Sequence, residues 1–250
     1  MITKSIVGGI TLSLVILVFA WAYTTMEIQL QASEFMSMSY AFQILANFDE
    51  GLFREGDANY VVVTINRGII EPREIQVEIE VTVDDVVMYS SSETMNVITY
   101  KGGWLTGTIF KYLRGSEELI TNSSVLLLVY TNMSDGARIF LRTRVRVSYL
   151  GVYECKDTQG NTFNVSMVNV FIPVLKVGES FGSNPYKLCL RTRDVEVLDR
   201  ITMGSSEASP AEHTVVVSVD GYSLEITTDK CNILIVNIIR SEVHFEVRGA

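Results

Sequence analysis

Ile6 to Tyr23 reads IVGGITLSLVILVFAWAY, and this apolar stretch decides how the rest of the chain is interpreted. Its eighteen residues carry no charge. That is the short end of the length needed to cross a bilayer, and it is longer than a typical signal-peptide core. Lys4 is the only charged side chain before it, whereas Glu27 and Glu34 follow it. Because positive charge is retained in the cytoplasm, the remainder of the chain is predicted to lie outside the cell.

Three outcomes of processing are consistent with this segment. A signal peptidase would cut after the A-x-A sequence at 20–22 and release a soluble chain. A prepilin-type peptidase would act at Lys4, Ser5 and Ile6, where a basic and a small residue precede the apolar run, and the helix would stay on the mature protein. The third outcome is an uncleaved anchor. We favour retention of the helix, because the apolar run continues into residues 24–47 without a turn residue.

Residues 24–50 are compatible with a helix or a strand. As a strand, residues 26–32 and 36–44 alternate between apolar and polar side chains. We predict an amphipathic helical extension over 24–50, because helix-forming residues dominate and Gly51 supplies an end. Its apolar or small residues recur every three or four positions, at Ile28, Ala32, Phe35, Ser39, Phe42 and Ala46, flanked by Met38 and Leu45.

From residue 58 onward the pattern predicts antiparallel strands. Apolar residues at every second position of 75–83 give one dry and one wet face. Other strands are predicted over 60–65, 125–130, 139–149, 213–219 and 222–227, and residues 233–239 and 243–247 are predicted to form a closing hairpin. Turn sequences at this spacing are typical of a sandwich. We predict an all-β body, with a β-sandwich region at 58–155 and a second β region at 156–250.

Composition excludes two classes of protein. Hydrophobic residues make up 48% of the chain, which is too many for a disordered segment. The formal net charge is -9, and a surface built to bind phosphates would push that balance toward basic. We therefore predict a folded protein without a nucleic-acid partner.

The sequence offers three candidate glycan acceptors and no cofactor motif. The tripeptides that begin at Asn122, Asn132 and Asn164 match the acceptor sequence, which is relevant outside the cell. No C-x-x-C, H-E-x-x-H, P-loop or G-x-G-x-x-G spacing occurs. We predict neither a metal site nor a cofactor.

The three cysteines lie in the second half of the chain. One disulfide could form outside the cell, and Cys155 with Cys189 is the preferred pair because both adjoin predicted loops. The alternative is three small hydrophobic residues with free thiols, the third being Cys231.

One string resembles a hydrolase motif. Residues 178–182, GESFG, fit G-x-S-x-G with Ser180 as nucleophile, and His213 or His244 follows in the required order. A nucleophile elbow needs a helix after the serine, however, and SNPYKLCLRT does not predict one. We predict a loop serine and no enzymatic activity.

Arginines alternate along the predicted strand 139–149. Arg142, Arg144 and Arg146 fall on one face of such a strand. This basic stripe could bind an anionic glycan or a neighbouring subunit. We favour pairing within the chain, with the acidic residues of 74–80 as partners, and we keep a subunit contact as the second hypothesis.

The N-terminal part of the chain resembles a known family. A short basic leader (MITKS, 1–5), an apolar helix (6–23) and a continuous amphipathic extension (MEIQLQASEF, 26–35) resemble the type IV pilin-like proteins of archaea, including accessory archaellum-type subunits. The segments YKGGWLTGT (100–108) and IFLRTRVRVSYLG (139–151) are similar to the β bodies of such proteins. The resemblance implies removal of the leader, packing of the apolar helices in a filament core or in the membrane, and a β body that faces outward.

These observations predict a structural subunit rather than a catalyst. Its partners would be the membrane, other copies or other pilin-like subunits, and components of the cell envelope. Helices would associate through close approach at Gly8 and Gly9 and through a seam of Phe35, Met38 and Phe42. The alternative is a single-pass, stator-like surface protein that binds or adheres through its sandwich. A secreted serine hydrolase is the least favoured hypothesis.

Overall fold

The N-terminal helix is one continuous element. The computed structural model describes residues 2–133 and 135–250, with only the backbone of residues 2–8, and α1 runs from Ile2 to Ala46. The helical extension predicted over 24–50 is therefore confirmed as far as Ala46, where the helix ends. Its Gly9–Ala46 part contains a stretch that is long and apolar enough to cross a membrane. A turn and a short 3-10 helix, Gly51–Phe53, lead into the β body.

Strands make up most of the remaining described chain. They are β1 (Ala58–Val63), β2 (Ile69–Val83), β3 (Val86–Lys101), β4 (Lys111–Arg114), β5 (Ile120–Thr121), β6 (Leu127–Asn132), β7 (Arg138–Thr143), β8 (Val145–Lys156), β9 (Thr162–Phe181), β10 (Tyr186–Gly204), β11 (Thr214–Val219), β12 (Tyr222–Thr227) and β13 (Ile233–Gly249). The longest of them span most of the length of the body.

The strands form two facing sheets, which confirms the sandwich-like all-β body. One sheet has the order β1-β10-β13-β9-β8-β5, and the other has the order β12-β11-β2-β3-β7-β6-β4. Most neighbours are antiparallel, but β13 with β9 and β5 with β8 are parallel. The dry face predicted for residues 75–83 is buried between the sheets from Val77 to Val83.

The two predicted β regions share both sheets. From the first region, β1 pairs with β10 of the second, and β2 pairs with β11. The boundary predicted between residues 155 and 156 lies at the end of β8, next to the turn into β9. The strands therefore do not divide into two separate units at that turn.

The long strands instead divide the interior along their length into two cores. The helix-side core lies next to α1 and includes Phe42, Ile98, Leu141, Leu175 and Leu188. The distal core lies farther from the helix and includes Val77, Ile79, Val81, Val170 and Val236. Strands β2, β3, β9, β10 and β13 are long enough to contribute to the packing of both.

Two strand predictions were wrong in opposite ways. The predicted strand 139–149 is broken at Arg144, because β7 ends in one sheet and β8 begins in the other. The predicted hairpin at the C-terminus is instead the single strand β13. Residues 240–242 do not turn there, because Ser241 is fully buried and pairs with Val195 of β10 on one side and Pro173 of β9 on the other.

The second half of α1 covers the open side of the sandwich. It contacts β1, an edge strand of one sheet, and β4, an edge strand of the other, and it also contacts β6 and β7. Edge strands left bare would invite pairing with other chains. The helix therefore completes the helix-side core and leaves the body at the end where β2 begins and β3 ends.

Candidate functional site at the junction of helix and body

Polar side chains on successive turns of α1 hold the helix to loops of the body. Glu27, Gln31 and Glu34 share one helix face because they are spaced by four and three residues. Glu27 accepts hydrogen bonds from Arg67 Nε at 2.6 Å and from Gln31 Nε2 at 3.0 Å. The Gln31 Oε1 atom accepts the backbone N–H of Leu105 at 2.8 Å. The helix is thus joined to two loops, at 66–68 and at 103–105.

The Glu34 carboxylate lies in a cup of hydrogen-bond donors. The backbone N–H groups of Asn66, Arg67 and Gly68 donate to it at 3.1, 3.1 and 2.9 Å, and the Tyr100 hydroxyl donates at 2.9 Å. Gly68 is required here, because a Cβ at that position would overlap the Tyr100 ring. Each of these donors favours the ionised carboxylate.

The electrostatics of the cup favour an anion. Burial opposes ionisation of Glu34, but the donated hydrogen bonds, led by those of Gly68 and Arg67, outweigh it and lower the pKa of Glu34. Burial, together with the bond to Glu34, raises the pKa of Tyr100, so its hydroxyl stays a donor. The pKa of Glu27 is lowered by its hydrogen bond from Arg67.

C-terminal to Glu27, Gln31 and Glu34, α1 buries a stripe of apolar side chains. Phe35, Met38, Phe42 and Leu45 all lie in the helix-side core. Each such side chain contributes about 1.5–3 kcal/mol when removed from water. The sequence predicts subunit contacts at Phe35, Met38 and Phe42. The structure corrects this assignment, because a side chain buried in its own body is not accessible to a neighbour.

The opposite face of α1 is apolar and exposed. It carries Met26, Leu30, Met36, Tyr40 and Ile44, with Met36 63% and Tyr40 67% exposed. At about 100° per residue, these five lie within one third of the helix circumference. We call them the exposed stripe. It follows the exposed apolar surface of residues 10–23 along the helix, with the exposed polar residues Gln29, Ser33 and Ser37 interspersed on the same face.

The sequence pattern predicts the buried face of α1 only approximately. The predicted face was centred near Ile28, Ala32 and Phe35, and the observed buried face is rotated from it by about 70°. The reason is that Gln31 and Glu34 are buried, which hydropathy does not predict for an amide or a carboxylate. Their burial depends on backbone donors that come from distant loops.

The C-terminal end of α1 is also fixed to the body. Asn59 Nδ2 donates to the Ile44 carbonyl at 2.9 Å, which satisfies an acceptor of the last helical turn. Asp49 accepts the backbone N–H groups of Leu126 and Leu127 at 2.8 and 3.1 Å and forms an ion pair with Arg114. Because both ends of its second half are held, the helix leaves the body in one defined direction.

The three predicted arginines do not form a stripe. Arg142 on β7 pairs with Asp220 at 3.4 Å. Arg146 on β8, in the other sheet, lies over the Phe171 ring at 5.7 Å. Arg144 lies at the break between these strands and is only 3% exposed. Arg142 does pair within the chain, as the favoured hypothesis predicts. Its partner, however, is Asp220 and not an acidic residue of 74–80.

Arg144 has a structural role within the chain. Its Nε donates to the Glu118 carbonyl at 2.7 Å, and its two other nitrogens donate to the Val125 carbonyl at 3.3 Å and to Ser116 Oγ at 3.0 Å. The guanidinium thus satisfies loop acceptors where the chain passes from one sheet to the other. It is not accessible as a subunit contact.

The predicted Cys155–Cys189 disulfide is wrong. Cys155 lies on β8 and Cys189 on β10, with β9 and β13 between them in the sheet. Their strands are three spacings, or about 14 Å, apart across the sheet. Cys189 also pairs with Glu246 near one end of β13, whereas Cys155 pairs with Phe163, just before the residue of β9 that pairs with Ile233 at the other end of β13. The two residues are therefore much farther apart than the limit of about 7 Å between the Cα atoms of a disulfide. All three thiols are free, and burial raises the pKa of Cys189 and Cys231.

The candidate glycan acceptors differ in accessibility. Asn122 is exposed in the loop that follows β5. Asn164 is half-buried within β9, and Ser166 of its tripeptide is fully buried. Asn132 is half-buried at the end of β6, and Ser134 of its tripeptide lies outside the described residues. Glycosylation of each stays a prediction, with Asn122 the best exposed.

Ser180 lies on a strand and not at a nucleophile elbow. It is exposed near the end of β9, and β10 rather than a helix follows. His244 pairs with Glu242 at 2.6 Å, and His213 pairs with Asp84 at 2.7 Å at the distal end of the body. Around Ser180, the described chain therefore does not have the strand–turn–helix geometry that a G-x-S-x-G hydrolase requires.

The predicted site residues at the N-terminus are described in part. For Lys4, Ser5, Ile6 and Gly8, only the backbone of α1 is described. Gly9 lies on α1 with open space around the position of a Cβ. In residues 2–133 and 135–250, no group of three His, Cys, Asp or Glu side chains is arranged to hold a metal ion.

Comparison with known proteins identified no similar protein. No protein-family model, no curated protein and no solved structure matches this chain.

Proposed function

We propose that the chain is a pilin-like structural subunit of the cell surface, whose apolar helix anchors it in the membrane or packs in a filament core while its β body is displayed outside. The observation that carries this proposal is the two-sided character of α1. From Phe35 to Leu45 one face of α1 is packed in the body, while exposed apolar side chains recur on the opposite face as far as Ile44.

The length of the exposed stripe favours a subunit over a simple anchor. A single-pass anchor needs apolar surface only across the bilayer, about 20 residues. Here the apolar surface extends past Tyr23 to Ile44, which adds about 30 Å of helix at 1.5 Å per residue. An exposed apolar surface of that extent beside the body needs a partner. The same surface on another copy is well suited, because helices can pack side by side along it.

The first test is the mature N-terminus and the assembly state of native material. Intact mass and N-terminal peptide mapping, followed by negative-stain imaging, are expected to find a chain that begins at Ser5 or Ile6 in filaments. A chain that begins at Met1 and stays in membranes as small particles would reject the polymer subunit and favour the anchored binding protein. A chain that begins at Tyr23 would reject both roles of the helix.

A pair of variants tests the exposed stripe itself. Met36→Glu places a charge in the stripe without disturbing the core, because Met36 is exposed. It is expected to reduce filament formation while the folded body is retained, as judged by circular dichroism. Val197→Glu is the matched control, since Val197 is also an exposed apolar residue but lies on β10. Equal assembly by both variants would reject the stripe as a subunit contact.

A further inference from the structure

Exposed apolar side chains cluster at the end of the body from which α1 leaves. Trp104 is 85% and Ile109 is 74% exposed, and Ile69 and Met133 are about half exposed. We call these four residues the base patch. Ile69 begins β2, Trp104 and Ile109 lie in the loop after β3, and Met133 follows β6.

Hydrogen bonds hold the elements of the base patch together. Ile69 pairs with Lys101 at the end of β3. The Gly102 N–H donates to the Ala137 carbonyl at 2.8 Å, which joins the loop to the turn between β6 and β7. The Thr131 hydroxyl donates to the Ile109 carbonyl at 2.7 Å. The patch is therefore a fixed surface and not a set of independent loop tips.

The loop that carries Trp104 is packed against α1. The backbone N–H of Leu105 donates to Gln31 on the helix. Gly103 approaches Gln31 so closely that a Cβ would overlap the side chain, and Gly102 is similarly close to Phe35. The height of Trp104 along the helix axis is thus set by the contact of its loop with Gln31.

That height is close to the expected membrane surface. Trp21 and Tyr23 suit the aromatic belt at the outer edge of the hydrocarbon. Gln31 is eight residues beyond Tyr23, or about 12 Å along the helix, and the headgroup layer extends about 5–8 Å from the hydrocarbon. Membrane helices are tilted by about 20° on average. A tilt toward the side of Trp104 would bring its indole into the headgroup layer.

The charges around the base patch suit a lipid surface. Arg67 pairs with Glu27 at 2.6 Å, while Lys101 and Arg138 share Asp135 at 3.1 and 2.8 Å. These three cations balance the two paired carboxylates and the nearby buried Glu34, although the whole chain has a net charge of -9. The base therefore lacks the acidic excess that would repel phosphate headgroups.

We propose that the base patch is a second membrane contact, which rests on the lipid headgroups of the outer leaflet and sets the tilt of α1. The inference rests on the membrane-anchored form of the proposed function. Interfacial tryptophans are a recognised determinant of helix tilt, and here the second tryptophan is carried by the body. Its ligand is the lipid surface and not a particular protein.

The two tryptophans of the chain allow the anchor and the patch to be tested separately. Trp21→Phe leaves Trp104 as the only tryptophan, and Trp104→Phe leaves Trp21. Each full-length variant is reconstituted in phosphatidylcholine vesicles, with and without a lipid brominated near the headgroup end of its acyl chains. Bromine quenches indole fluorescence on contact. Both variants are expected to lose fluorescence in the brominated vesicles.

A third variant controls for non-specific contact. Val197→Trp, in a chain with both native tryptophans changed to Phe, places the probe on an exposed part of β10. It is expected to keep its fluorescence. Equal quenching of this probe and of Trp104 would overturn the proposal, because the body would then lie on the lipid without using the patch.

The outcomes separate this proposal from the proposed function. If Trp21 is quenched and Trp104 is not, the patch is rejected and the anchor stands. If neither is quenched, the membrane anchor fails, and the patch fails with it. If Trp104 escapes bromine but is shielded from dissolved acrylamide, another subunit covers it and the lipid contact is overturned.

Discussion

The Tyr100 hydroxyl donates a 2.9 Å hydrogen bond to the Glu34 carboxylate, so β3 and the second half of α1 meet at one buried anion. The same carboxylate is bound by backbone N–H groups of 66–68. The junction therefore depends on a charge, whereas the rest of the helix-side core depends on apolar packing. The anionic junction should therefore respond to pH, whereas the apolar core should respond to truncation of its side chains.

Replacement of Glu34 tests the anionic junction. Glu34→Gln keeps the shape but turns an N–H₂ group toward backbone donors, so we expect the free energy of unfolding to fall by about 1–3 kcal/mol. Chemical denaturation of the full chain in detergent measures this change. Glu50→Gln is the control, because Glu50 is exposed and pairs only loosely with Arg54 at 3.7 Å. An equal effect of both variants would show that the cup contributes no stability.

The junction should weaken in acid. Folding lowers the pKa of Glu34 from its ordinary value of 4.5, so its contribution to stability is complete above that value and is lost as the pH falls through the folded-state pKa. We expect the free energy of unfolding to decline below about pH 4.5. Glu27 titrates nearby in the same direction. Denaturation at several pH values should give a shallower decline for Glu34→Gln, and parallel curves would contradict the assignment.

The two faces of α1 should respond differently to truncation. Phe42→Ala removes a fully buried ring and is expected to cost about 3–5 kcal/mol of unfolding free energy. Tyr40→Ala, two residues away on the exposed stripe, is expected to change the stability of the isolated chain by less than about 0.5 kcal/mol. Thermal or chemical denaturation distinguishes them. A large effect of Tyr40→Ala would mean that the stripe contacts its own body.

Replacement of Arg144 should reduce the free energy of unfolding more than replacement of Arg142. Arg144→Met leaves the carbonyls of Glu118 and Val125 without their buried donor, so a loss of about 1–3 kcal/mol is expected for each acceptor that water cannot reach. Arg142→Met is the matched control, because the Arg142 guanidinium makes a long contact with Asp220 at 3.4 Å. Denaturation of both variants compares them directly. Equal free energies of unfolding for the two variants would contradict a buried structural role for Arg144.

The cysteines should react as free thiols. Cys155 is partly exposed, whereas Cys189 and Cys231 are buried. Alkylation of the native chain, followed by intact mass measurement, is expected to label Cys155 first and the other two only after unfolding. Oxidised protein in which Cys155 and Cys189 are covalently joined would contradict the observed strand order.

The sequence by itself determined the long apolar helix and the alternating strands of the body. Both depend on local periodicity: residues 6–23 are uniformly free of charge, and residues 75–83 alternate at every second position. Such a repeat identifies the type of element from neighbouring residues alone. The same local information identified the candidate acceptor tripeptides and the lack of familiar cofactor motifs in the sequence.

Only the tertiary structure decided which face of the helix is buried and where the strands pass between sheets. Glu34 is buried because three backbone N–H groups and Tyr100 converge on it, and Arg144 is buried because loop carbonyls converge on it. Both are charged residues that a local pattern assigns to the surface. Their partners come from distant parts of the chain, and the favourable energy of a buried charge exists only when those partners are assembled.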